Sequence, residues 1–170
     1  DEAECRRMLS TAFAHDGPSM VRYPRGSGAG TVPSTQLDTL PLGKGEIRRR
    51  GKDVALLDIG TLLTPALAAG DILDATVANM RCVKPIDAAL IVELAGNHSL
   101  LVSIEENAVI GGAGSEIERV LGELGIEVPL IRLGLPDRFI DHGDQAQLLA
   151  ELGLDKDGIV RAVRARLERQ

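Results

Sequence analysis

The sequence predicts an α/β fold with three α/β/α layers. A mainly parallel, twisted sheet lies between two layers of helices, and the last helix and strand of another α/β domain precede it. Three observations lead there. The stretch 100–121, LLVSIEENAVIGGAGSEIERVL, opens with an apolar strand, Leu100–Ile104, followed by the polar run Glu105-Glu106-Asn107 and a glycine-rich turn. From Ser115 the period changes, and Ile117, Val120, Leu121 and Leu124 fall at helical spacing, which makes the whole a βα unit. From Glu46 onward the same alternation gives the order ββαβαβαβαα, the pattern of a sheet covered on both faces; its first strand is free to pair antiparallel at an edge. Finally, 44% apolar and 26% charged residues in a chain of 170 describe an ordinary globular protein. A chain of that length buries roughly 70% of its unfolded surface and needs no disulfide staple.

In order, Asp1–Ala14 reads as a helix with acids near its start and Met8, Leu9, Ala12 and Phe13 on one side. His15-Asp16-Gly17-Pro18 ends it, since Asp-Gly turns the chain and Pro18 cannot continue a helix. Ser19–Pro24 reads as a short strand stopped by Pro24. The run Arg25–Gln36 is rich in Gly, Ser, Thr and Pro without an apolar period, so a domain boundary falls there. We expect one unit over residues 1–29, a linker over 30–44 and a second unit over 45–170. The second unit holds a strand at Glu46–Arg49, a core strand at Val54–Ile59, a helix at Leu62–Leu73 and a strand at Ala75–Met80. Asp87 is the N-cap of a helix over Ala88–Ala95. After Leu100–Ile104 come a helix at Ser115–Leu124, a strand at Pro129–Leu133, the irregular stretch Gly134–Asp144 and closing helices at Gln145–Leu152 and Asp157–Leu167.

Composition excludes several functions. Phe13, Tyr23 and Phe139 are all the aromatics, too few for a base-stacking platform, and the net charge of −6 opposes a polyanion partner. No run approaches the roughly 18 apolar residues of a membrane span, and no signal-peptide pattern is present, so the cytoplasm is the expected compartment. Cys5 and Cys82 lie at unrelated spacing and are expected to be reduced. The chain starts Asp1-Glu2-Ala3 in the manner of a helix already under way, and reads as a piece of something longer.

Each candidate for chemistry has a structural reading beside it. Glu105 and Glu106 stand at the carboxyl end of a central strand, where open α/β sheets bind ligands. Neighbours on a strand point oppositely, so the two cannot face one substrate together, and structural roles are favoured. Asn107 is expected to tie down the loop. Gly111–Ser115 could cradle an anion, but it lacks the P-loop Lys-Ser/Thr and the GxGxxG spacing. Ser115 with Glu118 forms a capping box, which is the preferred reading. His142 among Asp137, Asp141 and Asp144 lacks ligand spacing and reads as a hydrogen-bonded loop histidine, not a metal site. His15 and His98 are turn and helix-end residues. Ser10, Ser19, Ser99 and Ser103 have no nucleophile-elbow context, and Arg48-Arg49-Arg50 reads as a solvated face. Arg25 stands apart: it follows a strand, behind rigid Pro24 and before flexible Gly26, which suits a bidentate grip on a phosphate or carboxylate. A structural salt bridge is the equal alternative from the residues alone.

Together VRYPRG, PLGKGEIRRRGKDVALL, ATVANMRCVKPID, SIEENAVIGGAGS and GLPDRFIDHGDQAQLLAELGLD resemble the 1-deoxy-D-xylulose-5-phosphate synthase family, nearly end to end and in order. Transketolases and the β subunits of 2-oxo-acid dehydrogenases share the fold and resemble it less. The resemblance implies the end of a pyrimidine-binding domain followed by a transketolase-type C-terminal domain used for packing and homodimer formation. It implies condensation of pyruvate with D-glyceraldehyde 3-phosphate on thiamine diphosphate and Mg2+, serving isoprenoid, thiamine and pyridoxal synthesis. No GDG…N motif and no match to the cofactor-activating glutamate occur in the sequence, so by resemblance those elements belong N-terminal to Asp1, and these residues alone are expected to be inactive. By the same resemblance Arg25 binds the substrate phosphate, with no catalytic, cofactor or metal residue among the rest. Two other readings remain open: an α/β dimerisation or binding module, and the C-terminal domain of a 2-oxo-acid dehydrogenase β subunit.

Overall fold

The computed structural model describes residues 1–26, 28 and 30–169; Ser27 and Ala29, at the end of the first expected unit, lie outside the described residues, as does Gln170. Regular structure runs α1 (Glu2–Ala14), β1 (Glu46–Arg49), β2 (Val54–Ile59), α2 (Leu63–Leu73), β3 (Thr76–Asn79), α3 (Ala88–Asn97), β4 (Leu100–Ala108), α4 (Ala113–Glu123), β5 (Leu130–Leu135), α5 (Gln145–Glu151) and α6 (Lys156–Leu167). The order expected from Glu46 onward is the order observed.

The strands form one sheet ordered β1-β3-β2-β4-β5. β3, β2, β4 and β5 are mutually parallel, and β1 joins the β3 edge antiparallel. Each strand segregates its side chains by the two-residue period. Val54 and Leu56 of β2 join Leu100, Val102 and Ile104 of β4 against Ala66 and Ala69 of α2 and Ile159, Val160 and Val163 of α6. Ala55, Leu57 and Leu101 face Leu90, Ile91 and Leu94 of α3 and Ile117, Val120 and Leu121 of α4. With both faces covered, β2 reads as a nearly unbroken apolar run, as a central parallel strand must.

Four expectations need correction. β4 runs on through Glu105, Glu106 and Asn107 to Ala108, because the polar side chains of Glu105 and Glu106 find partners on opposite faces of the sheet. α4 begins at Ala113 with Gly112 as N-cap, and Ser115 does not cap it. Ser19–Pro24 forms no strand; it has no ladder partner among the described residues, and a strand is held only by pairing. The apolar side of α1 is not packed here: no residue of α1 is buried, and Phe13 is 92% exposed. Asp87 is an N-cap as its position predicts, accepting from the Leu90 amide, and Asp1, expected within the first helix, caps it by accepting from the Glu4 amide.

Candidate functional site

The helix after β2, α2, covers one face of the sheet, and the helix after β4, α4, covers the other. The carboxyl ends of these adjacent strands are therefore a topological switch point, where open α/β sheets leave a crevice for ligands. In this chain Glu105 and Glu106 stand at that point, each bonded to other residues of the chain.

Glu105 is the centre of one side. Its Oε2 accepts from the Ala113 amide and its Oε1 from the Gly114 amide, both at 2.8 Å, and the residue is 2% exposed. The first-turn amides of α4, which in other folds receive a phosphate, are thus held by an internal carboxylate that also complements the helix dipole. The glycines follow from this closeness. A Cβ on Gly112 would collide with the Glu105 carboxylate and the Ala108 carbonyl, and one on Gly114 would lie 2.5 Å from Ser103 Oγ. Ser115 instead accepts from the Gly111 amide at 3.2 Å and donates to the Val109 carbonyl at 3.3 Å, closing the turn before the helix. Asn107 is exposed, and no side-chain bond ties it to the loop among the described residues.

Glu106 points the other way, as strand alternation requires. Thr61 Oγ1, just beyond β2, donates to its Oε2, and Gln145 Nε2 at the start of α5 donates to its Oε1 at 2.9 Å. Its backbone carbonyl accepts from the Arg22 guanidinium at 2.7 Å. Arg25, three residues further along, is exposed and forms no ion pair or hydrogen bond among the described residues.

On the same face Asp58 of β2 is completely buried, and neither carboxylate oxygen has a hydrogen-bond partner among the described residues. Burial, with the added negative potential of Glu4 and Glu106, pushes its carboxyl well above the ordinary carboxylate range. Its neighbour in register on β3, Asn79, donates to Glu4 Oε2 at 2.6 Å. Arg81 donates to Glu4 Oε1 at 2.6 Å and also grips Glu46. Arg81 adopts a left-handed backbone (φ 58°). Glu4, from α1, is so tied to the carboxyl end of β3. None of Glu4, Asp58, Arg22 or Arg81 was signalled as a site by sequence spacing. Asp58 carried the one visible clue, a lone acid inside the apolar run VALLDI.

The remaining candidates are dispersed. Asp144 caps α5 through the Gln147 amide at 3.0 Å, and His142 is exposed beside it in sequence. Among the described residues no group of three or more His, Cys, Asp or Glu side chains could hold a metal ion. His98 bridges the Leu94 carbonyl at 2.8 Å and Thr76 Oγ1 at 2.7 Å. The basic run is occupied: Arg49 pairs with Asp71 and Asp74, Arg48 with Glu46 and Arg50 with Glu93. Cys5 and Cys82 are both free thiols. Among the described residues no helix is long and apolar enough to cross a membrane.

Comparison with known proteins agrees with this architecture. The chain is 78% identical over 170 residues to 1-deoxy-D-xylulose-5-phosphate synthase of Dechloromonas aromatica (strain RCB), covering 100% of this chain and 28% of that protein. It is 63% identical over 165 residues to the same enzyme of Azoarcus sp. (strain BH72), covering 97% and 27%. The chain thus spans little more than a quarter of the length of these curated relatives. Among solved structures, a split-gene transketolase described as an inactive beta4 tetramer superposes with a TM-score of 0.68 at 34% identity, over 75% of this chain and 42% of the other. Transketolase of Campylobacter jejuni superposes at 0.54 with 14% identity, over 72% and 18%, a likeness of fold alone. Residues 43–159 match the transketolase C-terminal domain, and with the sheet order and the switch point described above the chain belongs to that family.

Proposed function

We propose that this chain is the C-terminal part of a 1-deoxy-D-xylulose-5-phosphate synthase, a transketolase-type transferase that joins pyruvate to D-glyceraldehyde 3-phosphate with release of CO2. The observation that carries the reading is the 78% identity extending over all 170 residues. On this reading residues 1–29 end the pyrimidine-binding domain, 30–44 are a linker, and 45–170 form the C-terminal domain, which contributes packing and homodimer contacts in a cytoplasmic enzyme.

Thiamine diphosphate with Mg2+ supplies the carbanion chemistry of such enzymes. The residues of this chain do not fit that group. The amides of the glycine-rich turn are already held by Glu105, Cβ-sized space is missing at Gly112 and Gly114, and no metal-ligand cluster exists among the described residues. On this reading the cofactor is held by other parts of the enzyme, and the 170-residue chain alone is expected to be inactive.

The part this chain plays in substrate binding falls to Arg25. The YPRG sequence, the exposure of Arg25 and its lack of a partner among the described residues support a guanidinium kept for the phosphate of glyceraldehyde 3-phosphate. Such a charge-assisted contact contributes about 1.5–3 kcal/mol. In the full-length enzyme, Arg25→Ala should lower kcat/KM for glyceraldehyde 3-phosphate about 10- to 100-fold. An unchanged value rejects the role of Arg25. Failure of the full-length protein to release CO2 from pyruvate, with thiamine diphosphate, Mg2+ and glyceraldehyde 3-phosphate supplied, rejects the enzyme assignment.

A further inference from the structure

Residues 20–26 carry the arginine assigned to the substrate phosphate, yet they lie outside the sheet and both cores. Among the described residues the hydrogen bond that joins them to the sheet is the one from Arg22 to the Glu106 carbonyl, across 84 positions of sequence. That acceptor has a specific origin. β2 stops at Ile59, opposite Glu105, and pairing between β4 and β5 is irregular between Ile104 and Ala108. The Glu106 carbonyl is therefore outside both ladders and open to a donor from elsewhere. Both oxygens of the Glu106 side chain are held as well, one by Thr61 and one by Gln145.

We propose that Arg22 is a positioning residue for substrate binding: docked on the Glu106 carbonyl, it fixes the segment that presents Arg25 to the substrate phosphate. The inference rests on the reading of Arg25 given above. Three residues of extended chain span roughly 10 Å, so a fixed point at Arg22 confines the reach of Arg25, while Pro24 between them removes one backbone freedom. Without the anchor Arg25 keeps its charge but loses its preorganised place, and binding of the phosphate bears the ordering cost. Arg22 itself touches neither substrate nor reacting atoms.

The test uses the full-length enzyme and four variants: Arg22→Ala, Arg22→Lys, Arg25→Ala and the double Arg22→Ala/Arg25→Ala. Steady-state constants are measured with glyceraldehyde 3-phosphate and with unphosphorylated glyceraldehyde. Arg22→Ala should raise KM for glyceraldehyde 3-phosphate about 5- to 10-fold, leave kcat within twofold, and leave KM for glyceraldehyde unchanged. Arg22→Lys, which retains a charged donor, should recover part of the loss. The double variant should be no worse than Arg25→Ala, because Arg22 acts through Arg25. If Arg25→Ala is impaired but Arg22→Ala is not, the positioning role is wrong and the reading of Arg25 stands. Additive losses, or equal losses with the unphosphorylated substrate, also overturn it. An Arg25→Ala enzyme with normal constants overturns the Arg25 reading and the positioning role with it.

Discussion

The carboxylate of Glu4 and the guanidinium of Arg81 meet at 2.6 Å, joining α1 to the carboxyl end of the sheet. Burial of Glu4 opposes its ionisation, but the bonds from Arg81 and Asn79, with the attraction of Arg81, prevail and hold its carboxyl below the ordinary range. A depressed carboxyl contributes stability above its unfolded value and loses it as the pH falls through the folded one. The attachment of α1 should therefore be complete at pH 7 and weaken below about pH 4.5. Glu4→Gln should weaken it at neutral pH by about 1–2 kcal/mol, read as faster amide hydrogen exchange in α1 with little change in α3 or α4.

Glu105 should be the costliest single carboxylate to remove. Glu105→Ala leaves the Ala113 and Gly114 amides buried without acceptors, at a cost of about 3 kcal/mol. Glu105→Gln, which keeps one acceptor oxygen, should lose about half as much. Urea unfolding midpoints at constant m-value measure both; a Glu105→Ala midpoint equal to wild type would show that the amides are satisfied elsewhere.

Ser103 and Gly114 should be energetically coupled. Gly114→Ala brings a Cβ to 2.5 Å from Ser103 Oγ and should cost about 1–3 kcal/mol. The Ser103 hydroxyl is buried without a partner among the described residues, so Ser103→Ala alone should be neutral or slightly stabilising. Combining the two should recover at least about 0.5 kcal/mol relative to the sum, as a double-mutant cycle would show.

Asp58 supplies the opposite pH dependence to Glu4. A carboxyl raised by burial binds its proton more tightly folded than unfolded, so its contribution to stability declines as the pH rises from the unfolded value near about 4 toward the folded one. The neutral isostere Asp58→Asn should raise Tm at pH 8 by about 2–4 °C, the shift that about 1 kcal/mol produces in a chain of this size. The gain should shrink as the pH approaches 4. A uniform gain or loss across the range would mean that ionisation of Asp58 is not involved.

Where neighbours in sequence decide structure, the sequence was legible. The bounds of β1 and β2 are those expected, and the Asp87 cap follows from a local donor three residues away. It misled where a distant partner overrides a local rule. Ser115 and Glu118 have the spacing of a capping box, yet the helix starts earlier because Glu105, eight residues before Ala113, reaches its amides first. Glu105-Glu106-Asn107 has the polarity of a loop, but β4 continues through it since each glutamate is satisfied on its own face. Arg22 and Arg81 gave no local signal, because their acceptors lie 84 and 77 positions away.

The carboxylate at the head of α4 has one more consequence. An enzyme of the proposed kind works among phosphorylated metabolites and a diphosphate, and a second vacant cradle for such groups would act as a decoy, sequestering them far from the chemistry. Glu105 seals that cradle from within, as a permanently tethered competitor at a concentration no free anion can match. A fold suited to capturing phosphates can in this way be reused as inert scaffolding, with substrate capture left, on the proposed reading, to an arginine outside the sheet.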